Sequence, residues 1–412
     1  MARIRSSTAL AALFATVLGC SEEEPPSCTS IDGQCVGLPA EAVCGDDTCA
    51  AGVPCQRVLT AGNDAELAST LMQAGAGDCV ALAPGAYAGL VVPGGVSLLG
   101  RSAGEVRIGA LTLESGSGAW LRGLTVEGGV NAQSATNVRI EAVLITGGVD
   151  SLQLDAGASV TVALSQIEKA SAHGVHARGA ASVTLEHSIV TDAEGPGVWV
   201  QCAEASCACA QKPVVALDHV LLSRNSRVSV NLIGAIGTLR HVHILDTQQG
   251  AGFAPGGGLA VSGCSDLGYG SLRVEGARSF GVLIDSSSAR PLGSGLEEKG
   301  IIVVDGMPGI WVQSTGTEDP QQQVVLDGVD VHDCKGAGLG FDRGAFGIIV
   351  VDGKVANTTL VELPVEPSQL GYRAMVGIGT VWKAASSVEI QKLEISSSAG
   401  PGLVIDGPVG PN

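Results

Sequence analysis

Short apolar runs recur along most of the chain, and each run ends at glycine, proline or a charged residue. The clearest unit begins at Val183 and passes through two strands and a glycine turn into a third strand. Related units start about 22 residues apart where no loop intervenes, as from Val138 to Val160 to Val183. Runs this short cannot each bury a face alone, whereas stacked repeats share one core. The pattern therefore predicts an all-β solenoid of about ten coils.

A short amphipathic helix is predicted ahead of the first coil. Behind a capping Asn63 or Asp64, the apolar residues Leu67, Leu71 and Met72 follow at helical spacing. Such a helix would cover the apolar end that the first coil otherwise exposes.

The run GDCVALAPGAY, from Gly77 to Tyr87, resembles the entry to the pectin-lyase-like superfamily. The resemblance extends over roughly residues 57 to 409. It implies a right-handed parallel β-helix, a single-stranded solenoid whose first coil is plugged by the helix, and we assign 57–412 to it. The resemblance does not define the chemistry, since this fold hosts lyases, hydrolases, epimerases, adhesins and proteins without known activity.

The first 19 residues have the features of a secretory signal peptide, because Arg3 and Arg5 precede an apolar stretch that ends at Gly19. The run VLGC at 17–20 resembles the lipobox of bacterial lipoproteins, which implies a lipid anchor in the membrane on Cys20. The alternative is cleavage by an ordinary signal peptidase, with Cys20 joining a disulfide.

Residues 20–27 would form a polar tether behind this anchor. Ser21 after the cysteine implies sorting to the outer membrane, by analogy with known lipoproteins. The expected location is the cell envelope, either exposed at the surface or facing the periplasm.

Five cysteines crowd the segment 28–56, which has almost no hydrophobic periodicity and predicts a knob held by disulfides, with Cys79 as a candidate sixth member. A zinc site is the rival interpretation, but paired CxxC spacing and a nearby histidine are missing. Without Cys20, eleven of the twelve cysteines remain and one thiol is left over, with Cys264 and Cys334 as the candidates. A further group, Cys202, Cys207 and Cys209, indicates a local disulfide more than a redox or metal site.

The formal net charge of −18 becomes −20 when Arg3 and Arg5 leave with the leader. This acidity argues against nucleic acid as a partner, because phosphate backbones require a basic surface. The sequence shows no cofactor-binding motif, and we predict no metal site from it.

The densest polar cluster lies at 330–335, where Asp330, Asp333 and Lys335 are candidate catalytic residues. Two carboxylates three residues apart, beside a lysine, could act as acid and base in glycoside hydrolysis or in β-elimination of a uronate. The chain lacks the motif series of polygalacturonases, and His173-Gly174 matches only two of its letters.

Aligning the coils places His187, His219 and His241 at one turn position, as a structural ladder or as a column that binds metal or shares protons. Five residues further on lie Asp192, Arg224 and Asp246, preceded by Lys169. Their charges alternate, which indicates a salt-bridged surface column, and these three residues are also candidate binding residues.

Two functions fit these observations. The first is a non-catalytic surface lipoprotein whose β-helix presents loops to a polysaccharide or another envelope component. The loops are expected at about 201–213, 249–257, 263–270, 286–299, 314–322 and 363–387. The second is a carbohydrate-active enzyme, either a polysaccharide lyase or a glycoside hydrolase of the pectin-lyase-like class.

Overall fold

A computed structural model describes most of the chain between residues 29 and 406. The predicted leader and tether, with Cys20, lie outside the described residues, as do Cys28, Cys44, Cys207 and Cys209. No helix of the described part is long and apolar enough to cross a membrane. The described ranges are 29–39, 49–155, 157–203, 211–250, 256–292, 300–313, 323–342, 347–359, 380–383, 388–399 and 403–406.

The chain folds as a right-handed parallel β-helix, which confirms the predicted fold class. Sheet 1 contains 23 strands in the described residues. They are Val58–Ala61, Cys79–Leu82, Gly85–Tyr87, Ser97–Leu99, Val106–Ile108, Trp120–Arg122, Thr125–Glu127, Val138–Glu141, Leu144–Thr146, Ser159–Ala163, Gln166–Glu168, Ser182–Thr191, Val214–Ser223, Ile236–Leu245, Asp266–Glu275, Ser288–Pro291, Ile301–Val304, Val324–Leu326, Val329–His332, Ile348–Val350, Gly353–Ala356, Val388–Ile390 and Leu393–Ser396.

Sheet 2 contains 13 parallel strands in the described residues. They are Leu90–Val92, Leu111–Leu113, Val130–Gln133, Asp150–Asp155, His173–Arg178, Val198–Gln201, Val228–Ile233, Gly257–Ser262, Val282–Asp285, Ile310–Gln313, Leu339–Phe341, Thr380–Lys383 and Leu403–Asp406. Two short pairs complete the strands, an antiparallel hairpin of Thr29–Ile31 and Gln34–Val36 and a parallel pair of Gly116–Ser117 and Ala135–Thr136.

The predicted sequence repeats correspond to strands that pair in register in sheet 1. Val138, Val160, Val183 and Val215 are paired in successive coils, and all four are buried. Alternate residues of each strand face opposite sides, so the inward positions of all coils form one stacked apolar core.

The prediction of about ten coils is too low, because sheet 2 has 13 strands in the described residues. The early coils have strands of three residues, too short for a recognisable period. The predicted loop at 263–270 is also wrong, since most of it lies in Asp266–Glu275.

Two turn positions recur along sheet 1 with left-handed backbone. The first, which we call the histidine column, includes Leu164, His187, His219 and His241, with φ between 46° and 53°. The second, the polar column, lies five residues further on in these coils and includes Lys169, Asp192, Arg224, Asp246, Asp305, Asp333 and Asn357. Each N–H of the polar column from Lys169 onward donates to a carbonyl of the next coil, for example Asp192 to Ser223 at 3.2 Å and Arg224 to Leu245 at 3.1 Å.

The predicted capping helix is Asp64–Gln73, and the side chain of Asn63 caps it by accepting from the Glu66 N–H at 3.0 Å. Leu67 and Leu71 are buried against the first coil. Met72 was expected on the same face, but its side chain lies in solvent at 83% exposure.

Cysteine pairing joins the cysteine-rich segment to the β-helix. Cys55 is bonded to Cys79, which confirms that Cys79 pairs with this segment. Cys35, Cys49, Cys202 and Cys264 also form disulfides. Cys334 is the free cysteine of the described part, and burial raises the pKa of its thiol to about 11.

A matched pair of valines tests the stacked core. Val162 is fully buried and Val149 is 70% exposed. We expect Val162→Ala to lower the free energy of unfolding by about 2 kcal/mol, since it removes two buried methyl groups and leaves a cavity. Val149→Ala should change it by less than about 0.5 kcal/mol. Urea unfolding followed by circular dichroism measures both, and equal effects would contradict this placement of the core.

The ion pair beneath the capping helix predicts a pH dependence. A hydrogen bond from Arg57 and another from the Gly75 N–H lower the pKa of Asp78 to about 2. A lowered carboxyl pKa stabilises the fold fully above about pH 4 and progressively less as the pH falls towards 2. Asp78→Asn should therefore lower Tm at pH 7, and its difference from wild type should shrink below pH 4. Glu114→Gln, at an exposed carboxylate, is the control.

Candidate active site

A row of polar and aromatic side chains crosses the outer face of sheet 2. Neighbouring strands hold Asn131, Gln153, His176, Trp199 and Asn231 in register. Their positions follow from the strand pattern, because the residues on either side of each one are apolar and point into the core. The row therefore presents hydrogen-bonding groups and an indole across five neighbouring coils.

Asp150 gathers two histidines at the edge of this row. Its Oδ1 lies 2.7 Å from Nδ1 of His173, and its Oδ2 lies 2.8 Å from Nδ1 of His176. Burial opposes ionisation of the carboxyl group, but the hydrogen bonds from the two imidazoles outweigh it and hold the pKa of Asp150 well below its usual range. The group is thus an ionised carboxylate that orients two imidazole rings.

A chain of hydrogen bonds continues from this carboxylate to Trp199. Nε1 of Trp199 donates to Oε1 of Gln201 at 3.0 Å, and Nε2 of Gln201 lies 3.4 Å from Nε2 of His176. Because the Gln201 amide nitrogen can only donate, Nε2 of His176 is the acceptor and its Nδ1 carries the proton toward Asp150. Trp199 also meets the ring of His173 edge-on, with 5.1 Å between ring centroids.

An ion pair and an unpaired amide oxygen border the same group. Asp155 accepts from Gln153 at 2.8 Å and from Nη2 of Arg178 at 2.9 Å. The hydrogen bond from Arg178 lowers the pKa of Asp155. Oδ1 of Asn131 is buried without a hydrogen-bond partner. Buried polar atoms normally have partners, so this oxygen is an exception.

His173 is the residue of this group best suited to proton transfer. Its Nδ1 faces Asp150, and its Nε2 has no hydrogen-bond partner among the described residues. The side chain is 20% exposed, so a ligand can reach it. An imidazole whose Nδ1–H is held by a carboxylate has its Nε2 lone pair available as a general base.

Two groups of the described residues have the donors for a metal ion. The sequence predicted no metal site but left metal binding open for the histidine column. Asp150, His173 and His176 form one, and Asp218, His219 and His241 form the other. In each group, one ligand atom per residue lies within 4.8 Å of the others. A carboxylate with two imidazoles is a donor set that suits first-row transition metals and zinc.

The sequence-predicted catalytic residues engage separate partners. Asp333 contacts Nδ1 of His332 at 2.8 Å, which lowers the pKa of its carboxyl, and Lys335 lies 3.6 Å from Oδ1 of Asp305. Asp330 lies on the strand before this turn, with a buried Oδ1 that has no hydrogen-bond partner. The three side chains share a strand and the turn after it, and their catalytic role stays a prediction.

Of the predicted binding residues, Asp192 and Arg224 form a salt bridge, and the binding role of all three stays a prediction. Arg224 donates to both carboxylate oxygens of Asp192, at 2.8 and 2.7 Å, and this contact lowers the pKa of Asp192. Asp246 follows in the next coil at the same turn position. Asp333 also belongs to this polar column. The candidate catalytic residues and the candidate binding residues, which the sequence treats as separate groups, therefore both have members on one line of turns.

The histidine column is stacked, as its alignment predicted. Ring centroids are 4.9 Å apart between His187 and His219, and 4.3 Å apart between His219 and His241. The rings are inclined by 19° and 20° in these two contacts. Stacking at consecutive coils is what a structural ladder requires, and it does not exclude a further role.

Sequence reasoning missed Asp150, His176 and Gln201 as members of a site. Asp150 precedes His173 and His176 by 23 and 26 residues, so the group forms only when the coils stack in the observed register. The available signal was His173 itself, since it opens a strand with a second histidine three residues later.

The orientation of the imidazoles can be tested directly. Asp150 accepts hydrogen bonds but cannot donate them when ionised. His173 and His176 should therefore hold their protons on Nδ1 in the wild type, and Asp150→Asn should abolish this preference. Long-range ¹H–¹⁵N correlation spectra of histidine-labelled protein above neutral pH distinguish the two tautomers. Unchanged His173 and His176 signals in Asp150→Asn would contradict the arrangement, and His332 provides an internal reference.

No family model matches the sequence, and no curated protein matches it. Solved structures with similar coiling include the catalytic domain of a GH87 alpha-1,3-glucanase in complex with tetrasaccharides. That similarity has 12% identity and a TM-score of 0.42, and it covers 90% of this chain and 70% of the glucanase.

Two other solved structures are also similar at low identity. The A-module of a mannuronan C-5 epimerase from Azotobacter vinelandii is 12% identical, with a TM-score of 0.34 and coverage of 83% of this chain and 93% of the module. An alginate lyase from Paenibacillus sp. str. FPU-7 is 13% identical, with a TM-score of 0.38 and coverage of 85% and 98%. All three similar proteins have parallel β-helix, pectin-lyase-like folds. Similarities of this size do not bear on the chemistry of the present chain, whose own side chains must supply that argument.

Proposed function

We propose that this chain binds a polysaccharide across the outer face of sheet 2 and acts on it by proton transfer at His173. The observation that carries the proposal is the carboxylate of Asp150 holding Nδ1 of His173 at 2.7 Å, beside Trp199. This proposal takes up the second function that fits the sequence, a carbohydrate-active enzyme. Its site lies on sheet 2 instead of at Asp330, Asp333 and Lys335.

Binding would use the row that sheet 2 presents. The indole of Trp199 offers an apolar surface with one polar edge, which suits a sugar ring. Asn131, Gln153 and Asn231 flank it in register and offer planar hydrogen-bonding groups to hydroxyls. A polysaccharide is favoured over a small sugar because the row crosses several coils.

The reaction class that fits this group best is β-elimination at a uronate. Hydrolysis of a glycoside normally needs two carboxyl groups that flank the scissile bond. Here Asp150 is held by two imidazoles and Asp155 by Arg178. In elimination, Nε2 of His173 would take the C5 proton, the new double bond would form between C4 and C5, and the C4–O bond would break. The departing oxygen would then take a proton from water. Arg178, which is 46% exposed, could face the substrate carboxylate.

The expected location of this activity follows from the leader that the sequence predicts. A lipid anchor on Cys20 and a polar tether would hold the β-helix at the outer membrane. Soluble or envelope polysaccharide would then reach sheet 2 without crossing a membrane. If the chain binds polysaccharide without turning it over, its function is that of a binding scaffold. The experiment below distinguishes this scaffold from an enzyme.

The test is an array of neutral and uronate-containing polysaccharides with the mature chain, following binding, reducing ends and the absorbance of unsaturated uronates. We expect His173→Ala to lower turnover by about a hundredfold or more, because a general base contributes at least this much. Trp199→Ala should weaken binding by about three- to tenfold. His187→Ala, at a stacked histidine of sheet 1, is the matched control and should change neither quantity.

Other outcomes assign the function differently. Turnover that survives His173→Ala but disappears in Asp333→Ala would place the site on the polar column. Binding that weakens in Trp199→Ala without turnover of any polysaccharide would leave a binding scaffold. Reducing ends without unsaturated product would indicate hydrolysis.

A further inference from the structure

The N-terminal hairpin of Thr29–Ile31 and Gln34–Val36 packs on the histidine column. Ile31 and Val36 are buried, at 1% and 2% exposure. The Gly37 N–H donates to the carbonyl of His187 at 2.8 Å. The hairpin turn brings Oδ2 of Asp32 to 2.9 Å from Nδ1 of His241. A segment 209 residues away in sequence therefore covers the stacked imidazoles.

Three potential metal ligands, Asp218, His219 and His241, lie within 4.8 Å of one another where the hairpin covers the column, and Asp32 adjoins them at His241. Oδ1 of Asp218 lies 2.9 Å from Nδ1 of His219, which repeats the contact between Asp32 and His241. Ring centroids of the two histidines are 4.3 Å apart. Two coils thus supply one carboxylate and two imidazoles to a single group, and the hairpin turn adds a second carboxylate beside His241.

We propose that Asp218, His219 and His241 bind a zinc-class divalent cation and that Asp32 completes the site, so that the ion fastens the N-terminal hairpin to the β-helix. Ligand atoms about 2.0–2.2 Å from a tetrahedral zinc lie about 3.3 Å from one another. The two carboxylate–imidazole contacts of 2.9 Å would open by a few tenths of an ångström, and the three atoms of the group, now within 4.8 Å, would close around the ion. The cation takes the place of the protons that each imidazole now shares with its carboxylate.

The donor types select the class of cation. Imidazole nitrogen with carboxylate oxygen suits zinc and its first-row neighbours, whereas calcium takes six to eight oxygens and magnesium an octahedron of them. Two carboxylates also neutralise the charge of a divalent ion. In the sequence, no histidine lies near the cysteine-rich segment, which argued against zinc there. In the fold, sheet 1 brings His219 and His241 close to the hairpin of this segment.

The cation would add to the contacts that dock the hairpin, whose Cys35 also forms a disulfide. Within the described residues, the hairpin contributes two buried side chains and a few polar contacts to this interface. Metal bonds at Asp32 would tie the hairpin turn directly to two neighbouring coils. Zinc binding would therefore determine how stably the N-terminal hairpin is docked on the β-helix.

The experiment uses the mature chain with its disulfides intact, after dialysis against a chelator. Titration with zinc chloride in a calorimeter gives the affinity and the stoichiometry, and hydrogen exchange of the 29–36 amides reports on docking. We expect one zinc per chain and slower exchange of these amides when zinc is bound. His241→Ala and Asp218→Asn should each weaken binding by about tenfold or more. Asp32→Asn should also remove the zinc effect on exchange.

The second group of donors provides the matched control. His176→Ala should leave this zinc affinity and the exchange of the hairpin unchanged, and circular dichroism verifies that every variant is folded. Zinc binding lost in His176→Ala but kept in His241→Ala would overturn the proposal and place the metal on sheet 2. Absence of zinc binding by the wild type, or binding without an effect on the hairpin, would overturn it as well.

Discussion

The hydrogen-bonded register between successive coils is the constraint on which this structure depends. Each coil pairs with the next in parallel, at about 4.8 Å, so a residue at a given position lies directly above its counterpart. Side chains that face inward form one core, and side chains that face outward form columns. Every candidate site in this molecule is consequently assembled from neighbouring coils, and its composition is set by which residues share a position.

Sheet 2 uses this constraint to bring chemically different residues together. Asp150 opens one strand and His173 opens the next, while His176 and Trp199 occupy the outward row. Their contacts need no loop, because strand pairing alone sets the separation. The polar column shows the contrasting case, in which exposed charges lie at turns and Arg224 is already satisfied by Asp192. Such pairs at a surface contribute little to stability.

The fold could be predicted from the sequence because its signal is local and repeated. The valines from Val138 to Val215 reveal the register, and Leu67 and Leu71 reveal the helix that covers the first coil. Sites could be predicted only where one coil position carries the same residue type repeatedly, as in the histidine column. The group around Asp150 has no repeat, and the contact of Asp32 with His241 depends on packing of a distant hairpin. The first leaves only the spacing of His173 and His176 as a signal, and the second leaves none.

The constant separation between the two turn columns limits how this protein can change in length. Five residues separate 164 from 169, 187 from 192, 219 from 224 and 241 from 246. An insertion inside this arm would shift the strand after it by one position and turn its apolar residues outward. Insertions lie instead outside this arm, for example between Gln201 and Val214, on the return from sheet 2 to sheet 1, and between Pro291 and Ile301 of sheet 1. Lineages of such proteins should therefore diverge by lengthening other parts of the coil while the arm keeps its length.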